Sequence, residues 1–369
     1  MKILIASPYA IYPDVPHGGG QDLMALIRYL QPRHRIRIAA FTDSTGAAHM
    51  RTLQSLVETT HVIQPAFTPA AKANRALQSM LNGRLPRRAE AEMRAVFAEG
   101  WADVVIAAWT QMGRFLPAVP PGTVRILDEV DVRFIVDEYA GHPQLAQRKQ
   151  AELAACRSAD LVIVRSTRDR DVLHTYLPHL HIRVVPPVAH VADYLSVPTA
   201  GCVPGRVLFV GAMDRVRNQR AVCWLTQAVM PHLEGAHLRI VGANPPTSVR
   251  ALSATVTGYV PDLRVEYQAA SVVVAPMQSE AGVLNKILDG LAAGRPVVAT
   301  PVANAGIGAP PEAVRLAADP ADFAAHIQTL LTDPVAWHAQ ACAGRAFIRQ
   351  HHTWSAAIRA LEEALCELV

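Results

Sequence analysis

The residues with the clearest chemistry lie between two apolar runs, at 272–275 and at 297–299. A predicted helix between these runs carries Lys286 and, one turn later, Asp289. The loop before the helix contains Gly282, Val283 and Leu284. A helix start offers free N–H groups and a partial positive charge to an anion, and Lys286 adds a full charge. Because a carboxylate accepts hydrogen bonds from hydroxyl groups, the segment predicts a pocket for a ligand with phosphate and hydroxyl groups.

A group of arginines follows another apolar run, at 207–210. The loop and helix start after this run contain Arg215, Arg217 and Arg220. A guanidinium can bind phosphate through two parallel hydrogen bonds. We expect Arg215 and Arg220 to bind the same phosphorylated ligand, with Arg217 competing for the role. The alternative is that all three are exposed loop residues without a ligand.

Three consecutive glycines follow His17, between the first apolar run at 3–7 and a predicted helix at 22–30. Glycines allow the backbone to approach a phosphate or a sugar closely. The spacing is not that of the dinucleotide-binding G-x-G-x-x-G motif, which follows its strand directly. We expect Gly19 and Gly20 to contact the phosphorylated ligand, and a flexible turn is the alternative.

Polar and aromatic side chains follow two further apolar runs. Trp109 and Gln111 follow the run at 104–108, and Asp131 follows the run at 124–127. The carboxyl ends of parallel strands form the edge at which open α/β sheets bind ligands. We therefore expect Trp109 and Gln111 to bind a second substrate. Asp131 would orient or deprotonate its hydroxyl group, and the alternative role for Asp131 is a helix cap.

These candidates are positioned by apolar runs that alternate with helical stretches. The runs of the first half are 3–7, 36–41, 104–108, 124–127, 161–164 and 182–185, and those of the second half are 207–210, 238–241, 256–259, 272–275 and 297–299. Continuous Val/Ile/Leu runs between helices predict parallel sheets that are covered on both faces. We therefore expect an α/β fold with two Rossmann-like, doubly wound domains that face each other across a cleft.

The expected domains are separated by helix and strand breakers. Pro186, Pro187, Pro198, Gly201 and Pro204 lie between the two series of runs. This places the first domain at 1–190, a linker at 191–205 and the second domain at 206–352. A last helix at 356–369 has one apolar face and is expected to pack back on the first domain.

The composition describes a well-buried globular protein of 369 residues, with 51% hydrophobic and 18% charged residues. No apolar run approaches the roughly 18 residues that span a bilayer. The N-terminus lacks the pattern of a secretory signal. The five cysteines form no C-x-x-C pair. We expect a cytoplasmic protein with free thiols.

A basic segment interleaved with apolar residues contains Lys72, Arg75, Arg84, Arg87 and Arg88. Such a segment can rest on anionic lipid, here the inner face of the plasma membrane. A solvated helix that covers the core is an equally good interpretation. We expect Arg84 and Arg87 to hold the second substrate near the membrane, and we expect no nucleic-acid partner.

Several motifs resemble those of retaining GT-B glycosyltransferases of the family-four type, also called glycosyl transferases group 1. They are FVGAMD at 209–214, VTGYVPD at 256–262, NKILD at 285–289, GRPVV at 294–298 and HTW at 352–354. The likeness covers nearly the whole chain. Asn285-Lys286 before the helix acid, together with Asp131-Val132, is similar to a subgroup that acts on bacterial exopolysaccharide or other surface glycans.

The resemblance implies roles for individual residues. Asp289 occupies the place of a glutamate that binds the ribose hydroxyls of the donor. A first glutamate belongs at Ala281, and Glu280 lies one residue out of register. Either Glu280 still reaches the donor sugar, as a catalytic residue together with Asp131, or it is a surface residue. The main chain near Tyr259 and Val260 is implied in binding the base.

The resemblance also implies the reaction. A retaining, metal-independent glycosyltransferase of hexosyl type would move a sugar from a nucleotide diphosphate to a glycan or lipid-linked acceptor, in the synthesis of a surface polysaccharide or glycoconjugate. It needs no cofactor, because the nucleotide diphosphate sugar is a co-substrate, and the cations stabilise the leaving diphosphate. Two alternatives stay open: a catalytically inactive nucleotide- or glycan-binding protein, and a sugar-nucleotide epimerase.

Overall fold

The computed structural model describes residues 1–13, 15, 18–64, 85–139, 141–188, 191–279, 282–353, 357, 359 and 361–363. The chain forms two compact units. The first contains residues 1–185 and the residues that follow Ala357, and the second is Pro186–Ala357. Each unit is built around one parallel sheet.

The first unit contains a 7-stranded sheet with the order β3-β2-β1-β4-β5-β6-β7, in which neighbouring strands are parallel. Its strands are β1 (Lys2–Ser7), β2 (Arg35–Phe41), β3 (Thr59–Ile63), β4 (Val104–Ala108), β5 (Val124–Asp128), β6 (Leu161–Val164) and β7 (Ile182–Val184). The direction of strand addition reverses between β1 and β4. In open α/β sheets this switch point is where ligands bind.

Helices cover both faces of this sheet. They are α1 (Gly18–Leu30), α2 (Ser44–Met50), α3 (Arg87–Ala98), α4 (Thr110–Gly113), α5 (Arg133–Tyr139), α6 (Leu145–Arg157) and α7 (Thr167–Tyr176), with 3₁₀ turns at Arg51–Ser55 and Leu116–Ala118. Successive strand residues point to opposite faces. Ile3 and Ile5 of β1 therefore pack with Ile27 of α1, whereas Leu4 and the residues on its face pack with Phe97 of α3.

The second unit repeats this plan with a 6-stranded parallel sheet of order β10-β9-β8-β11-β12-β13. Its strands are β8 (Arg206–Val210), β9 (His237–Val241), β10 (Thr255–Gly258), β11 (Val272–Ala275), β12 (Val297–Ala299) and β13 (Val314–Leu316). The switch point lies between β8 and β11.

The described residues of the second unit form eight helices, and side chains cap the starts of several of them. The helices are α8 (Val191–Leu195), α9 (Val216–Trp224), α10 (Thr247–Arg250), α11 (Leu263–Ala269), α12 (Asn285–Ala292), α13 (Pro301–Asn304), α14 (Pro320–Thr332) and α15 (Pro334–His351), with a π-helical segment at Leu225–Val229 and a 3₁₀ turn at Met230–His232. The carboxylates of Asp319 and Asp333 accept N–H groups at the starts of α14 and α15. The buried start of α12 differs, because no side chain caps it within the described residues.

The predicted fold class is confirmed: the chain is an α/β protein with two parallel sheets. Every predicted apolar run corresponds to a strand, within one or two residues at its ends. Two strands were not predicted, β3 and β13, and both lie at a sheet edge. Edge strands are only partly covered, so polar residues such as Thr59, His61 and Arg315 interrupt their apolar pattern.

The residues expected to link the domains take part in the second unit. Val191, Tyr194 and Val197 are buried in its hydrophobic core. Near the C-terminus, Leu361 is buried in the core of the first unit, and Glu362 accepts a hydrogen bond from the hydroxyl of Tyr29. No helix among the described residues is both long and apolar enough to span a membrane.

Candidate functional site

The switch point of the second sheet brings together two segments that are far apart in sequence. The loop after β8 leads through Gly211 and Arg215 into α9, and the loop after β11 leads through Met277 and Leu284 into α12. Because β8 and β11 are hydrogen-bonded neighbours, both loops leave the same edge of the sheet. The polar side chains that follow these strands therefore converge.

Lys286 lies at the centre of this convergence and is only 8% exposed. Its Nζ donates to Oδ1 of Asn218 at 3.3 Å and lies 3.9 Å from the ring centroid of Phe209. Met277 Sδ is 3.7 Å away. Burial lowers the pKa of Lys286 to about 7, and repulsion by Arg217 and Arg215 adds to this shift. Among the described residues, Lys286 has no carboxylate partner in its hydrogen bonds, and such a buried cation can bind an anion.

The structure assigns different surroundings to the three arginines. Arg217 and Arg215, at the start of α9, are the charged groups that act on Lys286. Arg220 is exposed one turn further along the same helix. From the sequence we expected Arg215 and Arg220 to bind the phosphorylated ligand. In the structure, Arg217 and Arg215 are the arginines whose charges act on Lys286.

Asp289, one turn after Lys286, is 6% exposed. Burial raises its pKa well above the usual range for an aspartate, although the nearby Tyr267 hydroxyl acts in the opposite direction. Tyr267 Oη and Asp289 Oδ1 are both buried, and neither completes a hydrogen bond of ordinary geometry in the described structure. Oδ1 is therefore a buried acceptor that a hydroxyl group or a water molecule would satisfy.

The remaining candidates of the second unit lie in the loops that precede α12 and follow β10. Gly282 and Val283 are half-buried and Leu284 is buried immediately before α12. A Cβ at Gly306 would lie 2.9 Å from the carbonyl oxygen of Gly282, so the two backbones pack closely. After β10, Tyr259 is 76% exposed and Val260 is half-buried. Glu280 and Ala281 lie outside the described residues, as does His17 in the first unit.

The first unit has its own cluster at the switch point between β1 and β4. The rings of Tyr9 and Trp109 meet edge to face, with centroids 4.8 Å apart. A Cβ on Gly19 would lie 2.6 Å from Cζ2 of Trp109, so this close approach requires glycine. Trp109 has φ 63 and ψ 151, a region that side-chain-bearing residues rarely adopt. Such strain persists where surrounding structure enforces it, often at functional sites.

Two buried carboxyl groups accept hydrogen bonds at the starts of α4 and α5. The hydroxyl of Thr110 is within hydrogen-bond distance of both carboxylate oxygens of Glu129. Glu152 accepts the backbone N–H groups of Arg133 and Phe134 at the start of α5. Burial, with Glu152 nearby, raises the pKa of Glu129 well above its usual range, and burial raises the pKa of Glu152 to about 8. Burial therefore favours the protonated form of both groups.

The other candidates of the first unit occupy several positions. Asp131 is exposed just beyond β5, and its charge acts on Tyr9 and Glu129. Gln111 is half-buried in α4, and its Oε1 has no hydrogen-bond partner in the described structure. Gly20 lies in the first turn of α1. Arg87 is exposed at the start of α3, and Arg84 lies outside the described residues.

Two residues that complete these clusters were not predicted, Asn218 and Tyr9, whereas Glu129 belongs to the polar segment 128–131 that was a candidate for binding the second substrate. Asn218 and Glu129 lie in polar stretches that follow predicted strands, so the sequence could indicate that they are near the sites. The sequence could not indicate that they are buried, because burial depends on neighbours from other strands. Within the described part of the chain, no group of three or more His, Cys, Asp or Glu residues is arranged to hold a metal ion.

Comparison with known proteins relates part of the chain to one family model and the whole chain to several solved structures. The family model described as glycosyl transferases group 1 matches residues 204–333. This range contains β8, the α9 arginines, Lys286 and Asp289. No curated protein sequence matches the chain.

Solved structures match over essentially the full length. Sucrose-phosphate synthase from Thermosynechococcus elongatus has 20% identity and a TM-score of 0.71, covering 100% of this chain and 99% of its own. Anabaena Alr3699/HepE in complex with UDP has 16% identity and a TM-score of 0.73, covering 100% of both chains. TarM, from S. aureus, has 10% identity and a TM-score of 0.77, covering 99% and 98%. These similarities show the GT-B fold.

Proposed function

We propose that the chain, whose residues 204–333 match the glycosyl transferases group 1 model, is a retaining glycosyltransferase that transfers a hexose from a nucleoside diphosphate to a glycan or lipid-linked acceptor. The observation that carries this proposal is the buried ammonium of Lys286 beside the uncapped start of α12. Breaking the anomeric C–O bond leaves a negatively charged diphosphate. Preformed positive groups at that point stabilise the developing charge.

The diphosphate would be bound by two kinds of donor. The backbone N–H groups at the start of α12 provide a partial positive charge, and Lys286, Arg217 and Arg215 provide full charges. Because these groups also repel one another in the absence of an anion, a bound diphosphate relieves that repulsion. The proposal of metal independence follows from this arrangement, in which the chain itself supplies the cations.

The ribose would be bound by Asp289, whose buried Oδ1 receives no hydrogen bond of ordinary geometry from the described residues. A ribose hydroxyl could donate to this atom, and the close-packed backbone at Gly282 would place the donor next to α12. The exposed ring of Tyr259 and the neighbouring backbone of Val260 would contact the base. UDP is the first nucleotide to test, because Anabaena HepE was solved with UDP and with UDP-glucose.

The acceptor would be bound by the first unit, where Trp109, Gln111 and Arg87 are candidates. In retaining GT-B enzymes the acceptor is expected to attack on the face that the leaving group departs from, and the departing phosphate takes the proton. Asp131 would then orient the acceptor hydroxyl. An acceptor in surface-polysaccharide synthesis, held near a membrane, fits the notable basic character of residues 72–88, most of which lie outside the described part.

The proposal is tested by measuring UDP release from UDP-glucose with candidate glycan and lipid-linked acceptors. Acceptor-dependent release that persists in EDTA supports both the activity and the metal independence. Complete loss in EDTA contradicts the metal-independent reaction. Lys286→Ala should abolish most of the release, whereas Arg349→Ala, which removes an exposed positive charge from the same unit, should leave it unchanged. Equal activity in both variants would contradict the role of Lys286.

A further inference from the structure

Asn218 lies at the beginning of α9 and is 6% exposed. It carries no charge and is not a candidate for contact with the sugar. Its side-chain amide nevertheless lies at the meeting point of the loop after β8 and the start of α12. A buried amide must have its hydrogen bonds satisfied, so its partners define what it does.

Both ends of the amide are used, and the partners fix its orientation. Nδ2 donates to the carbonyl oxygen of Ala212 at 2.8 Å, and Oδ1 accepts from Nζ of Lys286 at 3.3 Å. A carbonyl oxygen can only accept and an ammonium group can only donate. In a flipped amide, Oδ1 would therefore face the carbonyl oxygen of Ala212 and Nδ2 would face the ammonium of Lys286, so neither hydrogen bond could form. Asn218 thus connects the turn after β8 to the cation on α12.

The space for this amide is created by glycines. A Cβ on Gly211 would lie 2.7 Å from Nδ2 of Asn218. A Cβ on Gly242, at the end of the neighbouring strand, would lie 1.8 Å from the carbonyl oxygen of Gly211. The turn after β8 is therefore packed between Gly242 and Asn218, and neither glycine can be replaced without moving it.

Asn218 provides the oxygen acceptor among the contacts of Lys286. The other contacts are the ring of Phe209 and the sulfur of Met277, which accept weakly. The charged groups that act on Lys286 are Arg217 and Arg215, and both repel it. Without the amide oxygen, no other strong acceptor among the described residues would hold the ammonium towards the turn.

We propose that Asn218 is a positioning residue, which holds the ammonium of Lys286 and the turn after β8 in the arrangement that receives the diphosphate of the donor. The inference rests on the proposed function and deepens it, since it concerns how the phosphate-binding cation is placed. Asn218 acts through Lys286 and does not itself contact the reacting atoms.

The helix also offers a matched control. Gln219, the next residue, donates from Nε2 to the carbonyl oxygen of Met213 at 2.7 Å. Gln219 thus supports the same loop as Asn218, but the hydrogen bond from Lys286 goes to Asn218. Comparing Asn218→Leu with Gln219→Leu separates the positioning of Lys286 from general support of the loop.

The first measurement needs no ligand. NMR titration of the lysine side chains reports the pKa of Lys286 in the free protein. Asn218→Leu removes the acceptor and should lower this pKa further, whereas Asn218→Asp places a carboxylate beside the ammonium and should raise it by about one unit or more. Gln219→Leu should leave it unchanged. An unchanged pKa in both Asn218 variants would overturn the proposal.

The second measurement is UDP binding by calorimetry at pH 7.5, with the melting temperature of each variant recorded to establish that it is folded. Asn218→Leu should weaken binding about tenfold, which corresponds to loss of one hydrogen bond to a charged group. Gln219→Leu should retain wild-type affinity. Equal weakening in both would assign the effect to the loop and overturn the proposal. Failure of the wild type to bind UDP would count against the proposed donor, while the ligand-free titration would still decide the role of Asn218.

Discussion

The hydroxyl of Thr110 lies 2.6 Å from Oε1 and 2.7 Å from Oε2 of Glu129, a buried carboxyl group. The hydrogen bond fixes the first residue of α4 to the end of β5. It therefore ties the corner at Trp109 to the central strands of the first sheet. Because Glu129 takes part in this contact and is buried, its ionisation should change the free energy of unfolding.

The buried pair of Glu129 and Glu152 should make the protein less stable as pH rises. Burial raises the pKa of both groups, that of Glu152 to about 8. Above the ordinary pKa near 4.5, the unfolded chain has lost these protons while the folded state keeps them. Because the folded state binds more protons in this window, its stability falls as pH rises towards 8.

Glu129→Gln tests this prediction, because glutamine cannot ionise and can still accept from Thr110. In urea denaturation between pH 5 and pH 8, the wild type should lose more unfolding free energy than the variant. Glu92→Gln, at an exposed position on α3, is the control and should follow the wild type. If the difference between Glu129→Gln and the wild type is constant over this pH range, the carboxyl group is not protonated in the folded state.

The backbone strain at Trp109 predicts that a glycine variant is more stable than an alanine variant, which is the reverse of the usual order. Trp109→Ala and Trp109→Gly both remove the indole, but only glycine adopts φ 63 and ψ 151 without strain. Trp109→Gly should therefore be more stable than Trp109→Ala by about 1 kcal/mol, after the entropy of glycine is subtracted from the relieved strain.

Trp224 supplies the opposite case, because it ends the regular helix α9 with ordinary helical angles. There the alanine variant should be more stable than the glycine variant by about 1 kcal/mol. Thermal unfolding of the four variants measures both differences. The same ranking at the two positions would show that Trp109 is not strained.

Arg295 is predicted to stabilise the second unit without taking part in binding. It is fully buried, and its guanidinium donates to the carbonyl oxygens of Thr199 and Pro198. Arg295→Met would leave both carbonyl groups unpaired, which should cost about 2–4 kcal/mol of unfolding free energy. The exposed Arg349→Met is the control and should cost less than about 0.5 kcal/mol. A small effect at Arg295, measured by urea denaturation, would mean that water replaces its hydrogen bonds.

Arg295 also illustrates how much of the structure the sequence could predict. The continuous apolar runs gave the sheets, because central parallel strands are apolar on both faces. The edge strands β3 and β13 were not predicted, since polar residues interrupt their apolar pattern. Gly294 and Pro296 indicate the end of the helix, which the structure places at Ala292, but the burial of Arg295 depends on carbonyl groups almost 100 positions earlier.

The candidate site was predictable to a similar degree. Lys286 and Asp289 could be found from a glycine-bearing loop followed by a helix. The hydrogen bond between Lys286 and Asn218 could not, because it joins the starts of two helices that are 68 residues apart. The depressed pKa of Lys286 likewise depends on burial, which sequence spacing does not encode. Which residues belong to the site could therefore be predicted in part, whereas the hydrogen bonds between them required the three-dimensional structure.

Lys286 gives the most direct test of the proposed donor site. Its pKa of about 7 in the free protein means that it is partly neutral above pH 7. A bound diphosphate favours the charged ammonium, so UDP binding should take up a proton. Calorimetry in buffers with different ionisation enthalpies measures this uptake. The range from pH 7 to pH 9 is suitable, because the terminal phosphate, with a pKa of about 6, is already ionised.

The decisive measurement is the dissociation constant of UDP between pH 7 and pH 9 for the wild type and for Lys286→Ala. The wild-type affinity should fall as pH rises, by up to about tenfold per pH unit above the pKa of Lys286. The affinity of Lys286→Ala should be at least about tenfold weaker at pH 7 and should change little with pH. Equal affinities and equal pH profiles in the two proteins would contradict the account.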